Sequence, residues 1–177
     1  GANSIAIGNN STTATAAGSV ALGVETDATG INATALGTSS VAGGTNAVAL
    51  GNGAIASGTN AISIGTGNNV SGANSGAIGD PNTITGSGSY ALGNNNTINA
   101  NNAFALGNNI TIAAGRDGSV GIGNGTTVAA PNTGAYTLNG GVAAATVPTA
   151  VVSVGAAGSE RQITNVAAGV LSSTSTN

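Results

Sequence analysis

The sequence predicts an all-β protein, a solenoid of stacked short strands, and three observations lead to that prediction. A five-residue phrase ending in glycine occurs nine times, and six of the eight intervals between successive closing glycines are 14 residues long. Within the phrase, large aliphatic residues alternate with alanine or serine, which is the period of a strand. The 177 residues include 31 glycines and only 2% aromatic residues, which excludes an ordinary compact core. A fixed period of this length is typical of a repeat architecture.

The first strand of each predicted coil is the phrase itself, which first occurs as Ser4-Ile5-Ala6-Ile7-Gly8. Stacked coil upon coil, its large residues form two apolar columns. One column contains Ile7, Leu22, Leu36, Leu50, Ile64, Ile78, Leu92, Leu106 and Ile122. The other contains Ile5, Val20, Thr34, Val48, Ile62, Gly76, Tyr90, Phe104 and Val120. In this second column we expect the Tyr90 ring to cover the gap left by Gly76, one coil away.

A turn is predicted five residues before each closing glycine, because only asparagine and glycine occur there and both tolerate a positive φ. These residues are Asn3, Gly18, Asn32, Asn46, Asn60, Asn74, Gly88, Asn102 and Gly118. A second short strand is predicted between turns, as in Ala54-Ile55-Ala56, Asn69-Val70-Ser71, Thr83-Ile84-Thr85, Thr97-Ile98-Asn99 and Thr127-Val128-Ala129. Such a coil is too thin to enclose a thick core, so we expect the small alanine and serine faces to pack against other chains.

Composition excludes several classes of function. The chain has no cysteine or histidine, so we expect no disulfide, no imidazole metal site and no cofactor. The net charge is −3 and the only cations are Arg116 and Arg161, which predicts no nucleic-acid partner. No apolar run approaches the roughly 20 residues that span a bilayer, and no signal segment opens the sequence, so we expect a soluble fragment.

Candidate catalytic groups are few and scattered, which predicts that the protein is not an enzyme. Glu25 and Asp27 are alternate residues that can share a face, but paired loop carboxylates on a solenoid rim are far more often solvated than catalytic. The remaining acidic residues are Asp80, Asp117 and Glu160. Aspartates do not recur with the coil, as a calcium-binding β-roll would require.

The period ends near Pro131, and residues 131–150 are predicted to form an irregular insertion. The phrase then returns as Val151-Val152-Ser153-Val154-Gly155, and a polar cluster follows as Ser159-Glu160-Arg161-Gln162. Ile163, Val166 and Val170 are spaced by three and four residues, which is typical of a coiled-coil seam.

The repeated phrase, together with residues 151–169, resembles the trimeric autotransporter adhesins, whose YadA-like head repeats precede a neck. The resemblance implies a left-handed parallel β-roll with 14-residue coils over residues 1–130, an insertion at 131–150, a neck at 151–169 and the start of a coiled-coil stalk at 170–177. It also implies a homotrimer, with neck contacts from Glu160, Arg161, Gln162 and Asn165. Finally, it implies a C-terminal β-barrel, missing from this sequence, that anchors the full-length protein in the outer membrane at the surface of a Gram-negative bacterium.

The function that this resemblance implies is a non-enzymatic adhesive head. Its partners are expected to be host extracellular-matrix proteins such as collagen, or abiotic surfaces, bound through many weak contacts. Strand alternation suggests Thr83, Thr85, Thr97 and Asn99 as outward binding residues. The same threonines suggest an alternative, an ice-binding β-solenoid.

Overall fold

The computed structural model describes residues 1–9, 11–134, 137–138, 141–142 and 147–167. Its strands, in chain order, are β1 (Ile5–Ile7), β2 (Thr13–Ala14), β3 (Val20–Leu22), β4 (Asp27–Ala28), β5 (Thr34–Leu36), β6 (Val41–Ala42), β7 (Val48–Leu50), β8 (Ile55–Ala56), β9 (Ile62–Ile64), β10 (Asn69–Val70), β11 (Gly76–Ile78), β12 (Asn82–Ile84), β13 (Tyr90–Leu92), β14 (Asn96–Ile98), β15 (Phe104–Leu106), β16 (Thr111–Ile112), β17 (Val120–Ile122), β18 (Thr137–Leu138), β19 (Gly141–Val142) and β20 (Val152–Ser153). The described residues contain no helix, and the predicted all-β fold is confirmed.

Two parallel sheets form the solenoid. The ten-stranded sheet takes the order β1-β3-β5-β7-β9-β11-β13-β15-β17-β20, and the eight-stranded sheet takes the order β16-β14-β12-β10-β8-β6-β4-β2. Each strand of the repeated phrase therefore pairs with the same phrase one coil later, as Ile5 with Val20 and Ile7 with Leu22. The predicted coil of strand, turn, strand and turn is confirmed. A separate antiparallel pair, β18 and β19, lies in the segment predicted to be an insertion.

The predicted turn column is confirmed at every position. All nine of its asparagines and glycines have a positive φ, from 51° at Asn102 to 72° at Gly118. A second left-handed column was not predicted, because its residue types vary. It contains Glu25, Ser39, Gly53, Gly67, Asn95, Asn109 and Gly125.

The interior of the solenoid is filled by the small residues of the phrase. Ala35 and Ala49 are fully buried, whereas the neighbouring Leu36 and Leu50 are each 39% exposed. The expectation that the alanine and serine faces pack against other chains is therefore wrong. The two strands of a thin coil lie so close together that the phrase contributes only a small residue to the space between them, and its larger side chains point outward.

The second strands also differ from the simple stacking expected. Ile55 pairs with Asn69 and lies half-buried on the outside, while Ala56 pairs with Val70 and is buried. The aliphatic residues of these strands therefore do not form a single column. The interior column instead changes from alanine to valine or isoleucine along the chain, as Ala28, Ala42, Ala56, Val70, Ile84, Ile98, Ile112 and Val128.

A ladder of buried asparagines satisfies the polar backbone inside the later coils. The Asn82 Nδ2 donates to Asn68 Oδ1 at 2.9 Å, and Asn96 Nδ2 donates to Asn82 Oδ1 at 2.9 Å. Asn82 Nδ2 also donates to the Gly93 carbonyl at 2.7 Å, which ties one coil to the next. Among the described residues, no buried side-chain nitrogen or oxygen lacks a hydrogen-bond partner, as a stable interior requires.

Candidate functional site: two outward faces of the solenoid

The outward side of the ten-stranded sheet, here called the apolar face, is a continuous hydrophobic surface. Its large side chains alternate with the buried small residues of each strand, so all of them point away from the interior. Twelve of them are 36–59% exposed, namely Ile5, Ile7, Leu22, Leu36, Leu50, Ile62, Ile78, Tyr90, Leu92, Phe104, Leu106 and Ile122. If each of these residues is given the roughly 150–250 Å² of an aromatic side chain as an upper value, the exposed area is on the order of 1,000 Å².

The apolar face is interrupted at one coil, where Gly76 has no side chain. A Cβ atom built on Gly76 would lie 2.7 Å from Tyr90 Cε1 and 2.8 Å from Tyr90 Cδ1, so the ring lies across the glycine. This confirms the predicted covering of the gap by Tyr90. A shallow apolar depression of about 180 Å³ remains beside the ring, between Ile62 and Phe104.

The outward side of the eight-stranded sheet, here called the polar face, carries the four predicted binding residues. Thr83 pairs with Thr97 in the register of β12 and β14. The hydroxyl of Thr85 donates to Asn99 Oδ1 at 2.8 Å. Thr83, Thr85 and Asn99 are exposed and Thr97 is half-buried, so the structure brings the four residues together on one surface.

Sequence reasoning missed how far the threonine column of this face extends. Thr97 pairs with Thr111 in β16, and an isolated bridge joins Thr111 to Thr127. Both Thr111 and Thr127 are exposed. The 14-residue interval from Thr97 to Thr111 was available as a signal, but the longer interval before Thr127 concealed the end of the column.

The acidic residues bind neighbouring polar groups rather than one another. The Thr13 hydroxyl donates to Asp27 Oδ1, and the Ser39 hydroxyl donates to Glu25 Oε2 at 3.4 Å. Asp117 Oδ1 accepts the Asn101 backbone N–H at 2.9 Å. Within the described ranges, no group of three or more acidic, cysteine or histidine residues is placed to hold a metal ion.

The residues predicted to form the neck begin as part of the head sheet. Val152 in β20 pairs with Val120 in β17, so the phrase at 151–155 forms the expected strand. Glu160 Oε1 accepts the Gly158 N–H at 2.8 Å. This bond lowers the pKa of the Glu160 carboxyl below its ordinary value. A second hydrogen bond, from the backbone N–H of Glu160 itself, lowers the pKa further by a smaller amount. Gln162 and Asn165 are exposed.

The Arg161 side chain donates hydrogen bonds to three groups of its own chain. Its Nη1 donates to the Val154 carbonyl at 2.6 Å and to the Thr126 hydroxyl at 3.3 Å. Its Nη2 donates to the Asn124 carbonyl at 2.7 Å. The guanidinium thus joins the segment after the insertion to the last coil before it.

The chain is thus a repeat solenoid with one apolar and one polar outward face. Comparison with protein families specifies the class: the chain belongs to the YadA head domain repeat family. The family model, which describes two copies of the repeat, matches residues 1–26, 28–54, 56–80 and 85–109, more than half of the chain. No curated protein sequence matches the chain.

Membership in this family supports an adhesin-like head domain, exposed at the cell surface, in a family of non-enzymatic proteins whose heads assemble as trimers. It gives no support to the ice-binding alternative. In the part of the chain that the structure describes, no helix is long and apolar enough to cross a membrane.

Proposed function

We propose that this chain is the non-enzymatic head of a homotrimeric adhesin that attaches to host extracellular-matrix proteins such as collagen, or to other surfaces. The observation that carries the proposal is the apolar face, which runs through successive coils from Ile5 to Ile122. Monomeric proteins rarely expose an apolar patch larger than roughly 300–600 Å², so a face on the order of 1,000 Å² calls for a partner.

The partners that fit this face are two further copies of the chain, with their apolar faces turned toward a common axis. A standard protein interface buries about 800 Å² on each partner. Each chain of a trimer meets two neighbours, so the apolar face forms the centre of two such interfaces rather than the whole of either. Leu50 and Leu92 are then buried between subunits. The long, thin coil gains in this way the thick core that a single chain cannot build.

Attachment is assigned to the polar face, which stays exposed when the apolar faces meet. Thr83, Thr85, Thr97 and Asn99 offer uncharged hydroxyl and amide groups, which bind peptide and hydroxyl groups by short hydrogen bonds. Each such contact is weak. Three polar faces on one head, and many heads on one cell, convert weak contacts into firm attachment through high effective concentration.

The C-terminal part of the chain is proposed to lead into a stalk. Residues 131–150 form the insertion, residues 151–169 the neck and residues 170–177 the start of a coiled coil, the last of which lies outside the described residues. Glu160, Arg161, Gln162 and Asn165 are all exposed, and we propose that they contact neighbouring subunits in the neck. The full-length protein is proposed to be anchored in the outer membrane of a Gram-negative bacterium, with this head outside the cell.

Binding to immobilised matrix proteins tests the proposal. The purified chain is expected to bind collagen or another matrix protein, and alanine at Thr83, Thr85, Thr97 and Asn99 together is expected to weaken binding at least tenfold through lost multivalency. A matched variant with alanine at four exposed threonines of the turns, Thr38, Thr45, Thr59 and Thr66, should bind like the wild type. A wild-type protein that binds neither matrix proteins nor abiotic surfaces would refute the adhesive function, and equal loss in both variants would refute the choice of face.

A further inference from the structure

The last coil of the solenoid has no following coil to pair with its outward carbonyls. In five earlier coils, the carbonyl of the residue after the closing glycine accepts a backbone N–H from the next coil. Asn94 O accepts the Asn109 N–H at 3.0 Å, and Asn108 O accepts the Gly125 N–H at 2.8 Å. At the corresponding position of the last coil, Asn124 O accepts Nη2 of Arg161 at 2.7 Å. A side chain therefore supplies the donor that a further coil would have supplied.

The closing glycines show the same replacement. A Cβ atom built on Gly107 would meet the carbonyl oxygen of Gly123, the closing glycine of the next coil, at 2.6 Å. A Cβ atom built on Gly123 would instead meet Cζ of Arg161 at 2.9 Å. The guanidinium plane thus lies against Gly123 in the place that the next closing glycine occupies in every earlier coil.

The segment around Arg161 supplies half of a tenth coil. The Val120 N–H donates to the Val151 carbonyl at 2.8 Å, so β20 covers the last strand of the repeat. The Thr127 N–H donates to the Gly155 carbonyl at 3.0 Å, and the Ser153 hydroxyl donates to the Thr127 carbonyl at 2.8 Å. Beyond Gly155 the backbone leaves the solenoid, and Arg161 covers the part of the turn that the half coil leaves open.

We propose that Arg161 caps the C-terminal end of the solenoid within its own chain, by taking the place of the next coil's turn. A planar guanidinium with several donors suits this role, because it stacks on the Gly123 backbone while its two terminal nitrogens reach separate acceptors. An uncapped end would present unpaired carbonyls and strand edges to other molecules, a known route to end-to-end association. Arg161 therefore holds the neck segment on the head and closes the end of the solenoid.

Arginine-to-alanine substitution at the two arginines of the chain tests this assignment. Arg161→Ala is expected to speed amide hydrogen exchange at Val120 and Thr127 at least tenfold and to lower the melting temperature by roughly 4–8 °C, since hydrogen bonds from a charged donor are lost. Arg116→Ala removes the same charge from an arginine that bonds only the adjacent Gly115 carbonyl, and should change neither quantity. Arg161→Lys should fall between the two, because an ammonium cannot reproduce the planar fork.

If the amide hydrogens of Val120 and Thr127 exchanged at the wild-type rate in the Arg161→Ala protein, the proposed capping role of Arg161 would be wrong. If Arg161 acted only between subunits, Arg161→Ala would weaken assembly and leave the exchange at Thr127 unchanged, which also contradicts the proposal. The proposed cap does not depend on adhesion or trimer formation. A monomeric wild type would therefore refute the proposed function, but the hydrogen-exchange test of the cap would still be valid.

Discussion

The two outward faces of the solenoid share a coil and a backbone geometry but differ in what they leave exposed. In one coil, β13 presents Tyr90 and Leu92 while β14 presents Thr97, and the small residue between the first two faces the interior. The apolar face leaves large hydrophobic side chains more than a third exposed, whereas the polar face exposes mainly threonine and asparagine. The difference teaches that the strands of the repeated phrase turn their small residues into the fold of the single chain and leave their large residues on its surface.

The largest effect is expected from placing a charge on the apolar face. Leu92→Asp buries three unpaired carboxylates near one axis in the proposed trimer, and each costs several kcal/mol. Light scattering at micromolar concentration should therefore report monomers. Leu50→Asp should behave in the same way.

The polar face supplies the control for this prediction. Thr83→Asp adds the same charge at an exposed position of β12 and should leave the trimer intact. An unchanged mass for Leu92→Asp, or dissociation by both variants alike, would contradict the division of roles between the faces.

A smaller effect is expected from filling the interior. Ala49 is fully buried between the two strands of its coil, so Ala49→Leu is expected to overpack the interior and to lower the free energy of unfolding by about 1–3 kcal/mol. The matched variant Ala113→Leu places the same side chain on an exposed position after β16 and should stay within about 0.5 kcal/mol of the wild type. Denaturant unfolding at one protein concentration measures both, and equal stability would show that the interior has room for larger residues.

The period of the sequence was sufficient to predict the coil, and the alternation within it was sufficient to place Thr83, Thr85, Thr97 and Asn99 on one face. Alternation is symmetric, however, and it identifies two sides of a strand without saying which is inside. Ala49 was therefore expected on the outside of the coil, where the structure instead places Leu50. What decides the orientation is the narrow space beside the strand of the phrase, a tertiary property. That space admits only a small residue from the phrase, and the larger interior residues, such as Ile84 and Ile98, come from the second strands.

The role of Arg161 could not be predicted from the repeat pattern either, because it depends on a contact with Asn124, which is 37 residues away in the sequence. A signal was present nonetheless. A repeat that stops leaves unpaired carbonyls at its last turn, and the sequence contains only two arginines that could donate hydrogen bonds to them. The turn column was easier to predict because asparagine and glycine share a property of the single residue, its tolerance of positive φ.

The smallest predicted effect lies at Glu160, outside both faces. Its folded-state pKa is lowered by the Gly158 N–H, so its contribution to stability is present above the unfolded pKa and is lost as pH falls through the folded value. An NMR titration should place the Glu160 carboxyl midpoint below the usual glutamate value of about 4.3. In Glu160→Gln this contribution to the acid dependence of melting should disappear. A titration midpoint at or above the usual value would contradict the hydrogen bond from the Gly158 N–H to the Glu160 carboxylate.

The central claim is that the apolar face is covered by two copies of the same chain, and the molar mass in solution tests it most directly. Light scattering on the purified chain, at concentrations well above micromolar, should give three times the 16.2 kDa of one chain. A mass of 16.2 kDa under the same conditions would mean that the apolar face stays open in solution, and the account of assembly would be wrong.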